Sequence, residues 1–154
     1  MPTMAKNNNI RVYVINGPNL NLLGIRAPEI YGTETLADVE TMLHTQAKNL
    51  GAELKTFQSN HEGQLIDWIH AARTEADGII INAGGYTHTS IALRDAIEAV
   101  GLPTFEVHIS DIHAREDYRS KSYISEVAVK MICGQGTKGY SLALSELVDH
   151  CKAS

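Results

Sequence analysis

The run Gly78-Ile79-Ile80-Ile81-Asn82 carries no polar face at all. A strand that is apolar on both sides has to be covered on both sides, and parallel sheets inside α/β domains bury their central strands in this way. The segments around it supply the cover. Ile10 to Ile15 is a second β-branched run, ending at the turn-forming Asn16-Gly17-Pro18-Asn19. Ala52 to Phe57 alternates and reads as a strand nearer an edge; Thr104 to Ile109 and Glu126 to Cys133 complete five. Between them lie helix-period segments. Thr35-Leu36-Ala37-Asp38 has the capping-box pattern and leads into Leu36, Val39, Leu43, Ala47 and Leu50, with Gly51 as the stop. A helix from near Asn60 shows Leu65, Ile69 and Ala72 on one face, and another shows Leu93, Ile97 and Val100 before Gly101 and Pro103. The last presents Leu144, Leu147, Val148 and Cys151. Strands interleaved with helices, without hairpin turns, predict right-handed βαβ units. The expected architecture is a flavodoxin-like, doubly wound five-stranded parallel sheet with helices on both faces, one domain over 10–151.

Composition narrows the function classes. With 44% hydrophobic residues and 20% charged residues over 154 positions, the chain can bury a core. A formal net charge of −5 argues against nucleic acid or an anionic membrane as partner. No apolar run is long enough to span a bilayer. Cys133 and Cys151 have neither metal nor redox spacing, which predicts a reducing, cytoplasmic setting. The leader, residues 1–9, has no apolar anchor and is expected to fray.

In open α/β sheets ligands bind beyond the carboxyl ends of the strands, at the switch point. Three loops therefore matter: 16–19, 82–89 and 108–119. The second reads Asn82-Ala83-Gly84-Gly85-Tyr86-Thr87-His88-Thr89-Ser90. Its glycines permit close backbone approach to a ligand, one of Thr87, Thr89 or Ser90 should cap the next helix, and His88 is expected in that helix's first turn. In the third, Glu106 and His108 share a strand face by the period of two, so the carboxylate can orient the imidazole for acid catalysis. A metal set of His108, Asp111 and His113 is the rival reading, but its spacing fits no standard pair. Gly134-Gln135-Gly136-Thr137-Lys138-Gly139 matches a dinucleotide fingerprint, yet only one helix follows, with no strand to carry the acidic ribose ligand. Structural glycines in a tight turn are the better reading. His44, His70 and His150 fall on helices and are expected to face solvent. The stretch Gly24 to Gly32, too short and too punctuated for a helix or core strand, carries Arg26 and Tyr31 and is either a plain surface loop or a mobile lid delivering chemistry.

Asn16-Gly17-Pro18-Asn19-Leu20-Asn21-Leu22-Leu23-Gly24, Arg26, Pro28, Tyr31-Gly32, the run from Asn82 to Ala96, and Glu106 to Tyr123 together resemble the type II 3-dehydroquinate dehydratases over about Ile10 to His150. The resemblance implies dehydration of 3-dehydroquinate to 3-dehydroshikimate through an enolate, in the shikimate pathway or in quinate catabolism, with no metal and no organic cofactor. It implies Tyr31 as proton acceptor, His108 as proton donor to the departing hydroxyl, Arg26 as activator of the tyrosine, and Asn19 at the enolate or its water. Substrate contacts would fall on Asn82, His88, Ile109, Ser110 and Arg119, with Asp95 contributed by a neighbouring subunit of a trimer-based dodecamer. One position departs: Ala27 stands where the family usually carries glutamate, so the lid would lack a carboxylate contact.

That division of labour is chemically coherent. A tyrosine of ordinary pKa, about 10, is a weak base at neutral pH, and an adjacent guanidinium can lower that value by about 1–3 units. A flavin- or nucleotide-binding module is the alternative from another class. It would need a phosphate cradle where the first loop has only Gly17 followed by Pro18. A non-catalytic assembly protein would be expected to have lost some of Arg26, Tyr31 and His108.

Overall fold

Ile79, Ile80 and Ile81 have no solvent exposure, because their strand sits at the centre of the sheet. The computed structural model describes residues 9–25 and 27–154, with the side chain of Tyr31 also outside that description. The strands are β1 (Ile10–Asn16), β2 (Ala52–Gln58), β3 (Gly78–Asn82), β4 (Thr104–His108) and β5 (Lys130–Cys133). They pair in the order β2-β1-β3-β4-β5, all parallel. This is the doubly wound, flavodoxin-like order, with β2 on the edge that its alternation predicted.

Each face of the sheet has its own helices. Val12, Val14, Ile80, Phe105 and Val107 form one core with Val39, Leu43 and Ala47 of α2 (Leu36–Leu50) and with Tyr140, Leu144, Leu147 and Val148 of α5 (Lys138–Lys152). Tyr13, Ile15, Ile79 and Ile81 form the other with Leu65, Ile69 and Ala72 of α3 (Glu62–Glu75) and Leu93, Ala96 and Ile97 of α4 (Ile91–Val100). Burying one such aliphatic side chain is worth about 1.5–3 kcal/mol, so the β-branched strands drive assembly of both layers. The capping box forms: Thr35 Oγ1 accepts from the Asp38 amide at 3.1 Å, and Asp38 Oδ2 accepts from the Thr35 amide at 3.0 Å.

Three expectations need correction. The fifth strand starts at Lys130, not Glu126. Ile124 is fully buried in the α3/α4 core, so the chain turns as a 3-10 segment (Ile124–Glu126) before it can join the sheet. His88 lies not in the first turn of α4 but in a 3-10 segment (Gly84–His88) ahead of it, because Ser90 is the residue whose Oγ caps the Leu93 amide, at 2.9 Å. The stretch 24–32 contains one helical turn after all, α1 (Pro28–Tyr31). Proline pre-sets that turn at its first position, and Ala27 precedes it with φ 42°, a left-handed conformation.

Candidate active site

Two glycines bring the loops after β1 and β3 together. A Cβ on Gly17 would stand 2.5 Å from the Ala83 carbonyl oxygen, and one on Gly84 would stand 3.0 Å from that of Pro18. The Gly17 amide donates to the Asn82 carbonyl at 2.7 Å. Only residues without a side chain allow this approach. Beyond the seam, where the strand order reverses, lies a cavity of about 250 Å³ whose wall is completed by the loop after β4. At the cavity rim Asn19 adopts φ 71° and donates its amide to Asn60 Oδ1 at 3.0 Å. Gln58, at the end of β2, donates to the Gly17 carbonyl at 3.1 Å and to Asn60 at 3.2 Å. The first loop is thus tied to the second strand.

On the opposite wall β4 projects Glu106 and His108 toward the α3/α4 side while Phe105 and Val107 fill the other core. His108 Nε2 is hydrogen-bonded to Glu106 Oε2. The carboxylate has no exposure, yet three hydroxyls also donate to it: Thr87 at 2.6 Å, Ser122 at 2.6 Å and Ser125 at 2.5 Å. Burial pushes the Glu106 pKa up, but the histidine and the serine hydroxyls outweigh it and hold the group down at about 2. Glu106 is therefore an anion at neutral pH and can only accept. His108 Nε2 must carry a hydrogen, which leaves Nδ1 as the nitrogen free to exchange a proton with a ligand.

His88 stands over His108 with ring centroids 6.5 Å apart and planes at 20°. Its Nδ1 donates to the Lys121 carbonyl at 2.7 Å. Burial first, then the neighbouring His108 and Arg119, keep the His88 pKa below the usual histidine range. A neutral His88 offers Nε2 as an acceptor. Arg119 and Arg115 also line the cavity. Glu116 pairs with both, at 2.9 Å and 3.6 Å, and Arg115 Nη1 donates to Ser110 Oγ at 3.2 Å. Ile109 and Ser110 complete this side. The cavity can therefore present guanidinium groups, a hydroxyl and an imidazole to a small, oxygen-rich anion.

Asn19, Asn82, His88, His108, Ile109, Ser110 and Arg119 all border this one cavity, and Glu106 stands behind His108. Asp95 does not. It lies exposed on α4, paired with Arg94 at 2.9 Å. Arg26 and the side chain of Tyr31 lie outside the described residues. Among the described residues no group of three or more His, Cys, Asp or Glu side chains is placed to hold a metal ion; Asp111 instead caps its own turn by accepting from the His113 amide at 2.9 Å. The glycine-rich turn Gly134 to Gly139 is also accounted for. Its Gly134 and Gly136 amides donate to the Ser110 and Ile109 carbonyls, both at 3.1 Å, so donors that a phosphate would need secure the cavity wall instead.

Nothing in the linear pattern marks Thr87, Ser122 and Ser125 as parts of a site. Hydroxyl residues in loops look alike there. The one available signal was Glu106 itself, since a carboxylate inside a strand buried on both faces requires donors from somewhere.

Comparisons with known proteins place the chain in a family. The family described as Dehydroquinase class II matches residues 10–148. A 3-dehydroquinate dehydratase of Dinoroseobacter shibae is 57% identical over 94% of this chain and 97% of its own. A catabolic 3-dehydroquinase of Verticillium alfalfae is 54% identical over 92% of this chain and 95% of its own. The crystal structure of a type II dehydroquinase from Butyrivibrio crossotus superposes with a TM-score of 0.89 at 45% identity, covering 90% of this chain and 97% of that one. The chain belongs to the class II dehydroquinase family.

Proposed function

We propose that this protein dehydrates 3-dehydroquinate to 3-dehydroshikimate, and that the His108–Glu106 pair facing the cavity beyond β1, β3 and β4 is its acid. The observation that carries the reading is that pair: a buried carboxylate, ionised at neutral pH, fixes one imidazole nitrogen and leaves the other for the departing C1 hydroxyl. The base is Tyr31, which takes the proton alpha to the ketone, with Arg26 favouring its phenolate. Their place in the lid motif supports these two roles. Asn19 serves the enolate oxygen or a water held against it, since a charge developing there needs a donor already in place. Ile109 and Ser110 receive the substrate carboxylate, assisted by Arg119, while Asn82 and His88 meet its hydroxyls. The enolate then expels the C1 hydroxyl, which takes a proton from His108 and leaves as water; the proton held by Tyr31 returns to His108 through solvent, and no electron is transferred.

Asp95, exposed on α4 and away from this cavity, fits a residue lent to a neighbouring copy, in line with a trimer-based dodecamer. Residues 10–151 act as one catalytic domain with the segment 24–32 as its lid. Two free thiols, Cys133 and Cys151, fit a reducing cytoplasmic setting, and no helix among the described residues is long and apolar enough to cross a membrane. The same dehydration serves shikimate biosynthesis or quinate breakdown.

The test follows the conjugated enone by ultraviolet absorbance after mixing protein and 3-dehydroquinate with EDTA present. Turnover is expected; its absence with folded protein overturns the reading. Tyr31→Phe should bind substrate and lose most turnover, and retained turnover would remove Tyr31 as base.

A further inference from the structure

Tyr140 lies on α5, inside the core, with no exposure. Its hydroxyl bridges two asparagines that end neighbouring strands. Asn16 and Asn82 are Cα partners across β1 and β3. The alternation of both strands turns them toward α5, as it does Val14 and Ile80. Tyr140 Oη donates to Asn16 Oδ1 at 2.6 Å and accepts from Asn82 Nδ2 at 2.9 Å. Asn82 Oδ1 in turn accepts from the Gly84 amide at 3.1 Å.

The direction of every bond in this chain is determined. A backbone N–H can only donate, so the Asn82 atom facing Gly84 is oxygen. The amide nitrogen then faces Tyr140, whose lone pair must accept, and whose single proton must go to Asn16. Burial pushes the Tyr140 pKa up, so the hydroxyl keeps that proton across the working range. Asn82 lines the cavity, with its oxygen engaged and one of its two amide hydrogens spent.

We propose that Tyr140 is a positioning residue that locks the Asn82 amide so that it presents an N–H donor, and not a carbonyl acceptor, to an oxygen of the bound substrate. This rests on the reading that the cavity holds 3-dehydroquinate. Without the Tyr140 hydroxyl only the Gly84 amide holds the Asn82 side chain, the amide nitrogen loses its fixed acceptor, and the flipped state, whose acceptor repels a substrate oxygen, becomes more populated. Part of the positional information therefore comes from the last helix, beside the part supplied by the Gly84 amide.

The experiment compares wild type, Tyr140→Phe, Asn82→Ala and the double variant. Tyr140→Phe keeps the ring in the core and should raise KM about ten-fold, the worth of about one hydrogen bond, with kcat and its pH profile unchanged. The double variant should be no worse than Asn82→Ala, because both remove the same contact. An unchanged KM in Tyr140→Phe, or effects that multiply in the double variant, overturns the proposal. A second readout does not depend on turnover: exchange of the Asn82 side-chain amide hydrogens by NMR in the ligand-free protein. Exchange should be slow in wild type and at least about ten-fold faster in Tyr140→Phe; equal rates overturn the proposal. Wild type without turnover but with this exchange difference would defeat the assigned substrate and leave the lock standing. If Tyr140→Phe does not fold, Asn16→Ala keeps the ring and frees its hydroxyl to donate to Asn82 as well as to accept from it, so the amide loses its fixed sense; a raised KM with faster exchange is expected, and no change in either overturns the proposal.

Discussion

His108 donates its Nε2 hydrogen to Glu106, two residues earlier on the same face of β4, and Glu106 has no solvent exposure. The pair sits where a strand end meets the cavity, so the proposed acid is carried by the sheet and not by a loop.

Replacing the imidazole should remove the acid while sparing the fold. In His108→Asn the three hydroxyls still satisfy Glu106. Turnover should fall about 100- to 10,000-fold, the usual worth of a positioned general acid, with substrate affinity nearly retained. Single-turnover kinetics and calorimetric binding would check the split.

Glu106 should make acid stability measurable. Its folded pKa of about 2 lies below its ordinary value of 4.5, so the stability it contributes is fully present above pH 4.5 and is lost as pH falls toward 2. Glu106→Gln removes that contribution and leaves His108 without its anion. Denaturant melts should show a deficit of about 3 kcal/mol at pH 7, narrowing as the pH is lowered through that window. A constant deficit at every pH would contradict the assignment.

The seam between the first and second loops should tolerate no side chain. Gly17→Ala places a methyl 2.5 Å from a backbone oxygen that cannot swing away. A loss of about 1–3 kcal/mol in stability is expected, together with weakened substrate binding as the cavity wall is forced apart. Thermal melts and KM would report the two effects.

His88 should titrate low. With its folded pKa below the ordinary 6.5, the neutral ring contributes stability that is present above pH 6.5 and declines as pH falls toward the folded value. An NMR titration of its ring protons should give a midpoint below 6.5.

Much of this was legible in the linear chain. Ile79 to Ile81 demanded cover on both sides, Thr35 and Asp38 signalled a helix start, and the turn residues after each β-branched run marked the strand ends that became the cavity. The period of two is enough to put Glu106 and His108 on one face of their strand. The fifth strand is shorter than its pattern suggests because Glu126 to Val129 has a strand's composition while its conformation is set by Ile124, which the α3/α4 core draws inward. Local pattern carries no record of that pull.

Sequence alone determined the parallel α/β architecture and the loops that line the cavity, since these depend on periodicity and residue type along short spans. Tertiary structure decided what surrounds the reacting groups. Three hydroxyls from residues 87, 122 and 125 converge on one carboxylate, and a tyrosine 58 residues from Asn82 and 124 from Asn16 spans both side chains. Such contacts follow from how the layers pack, and a buried polar group takes its partner from whichever segment the packing brings within reach.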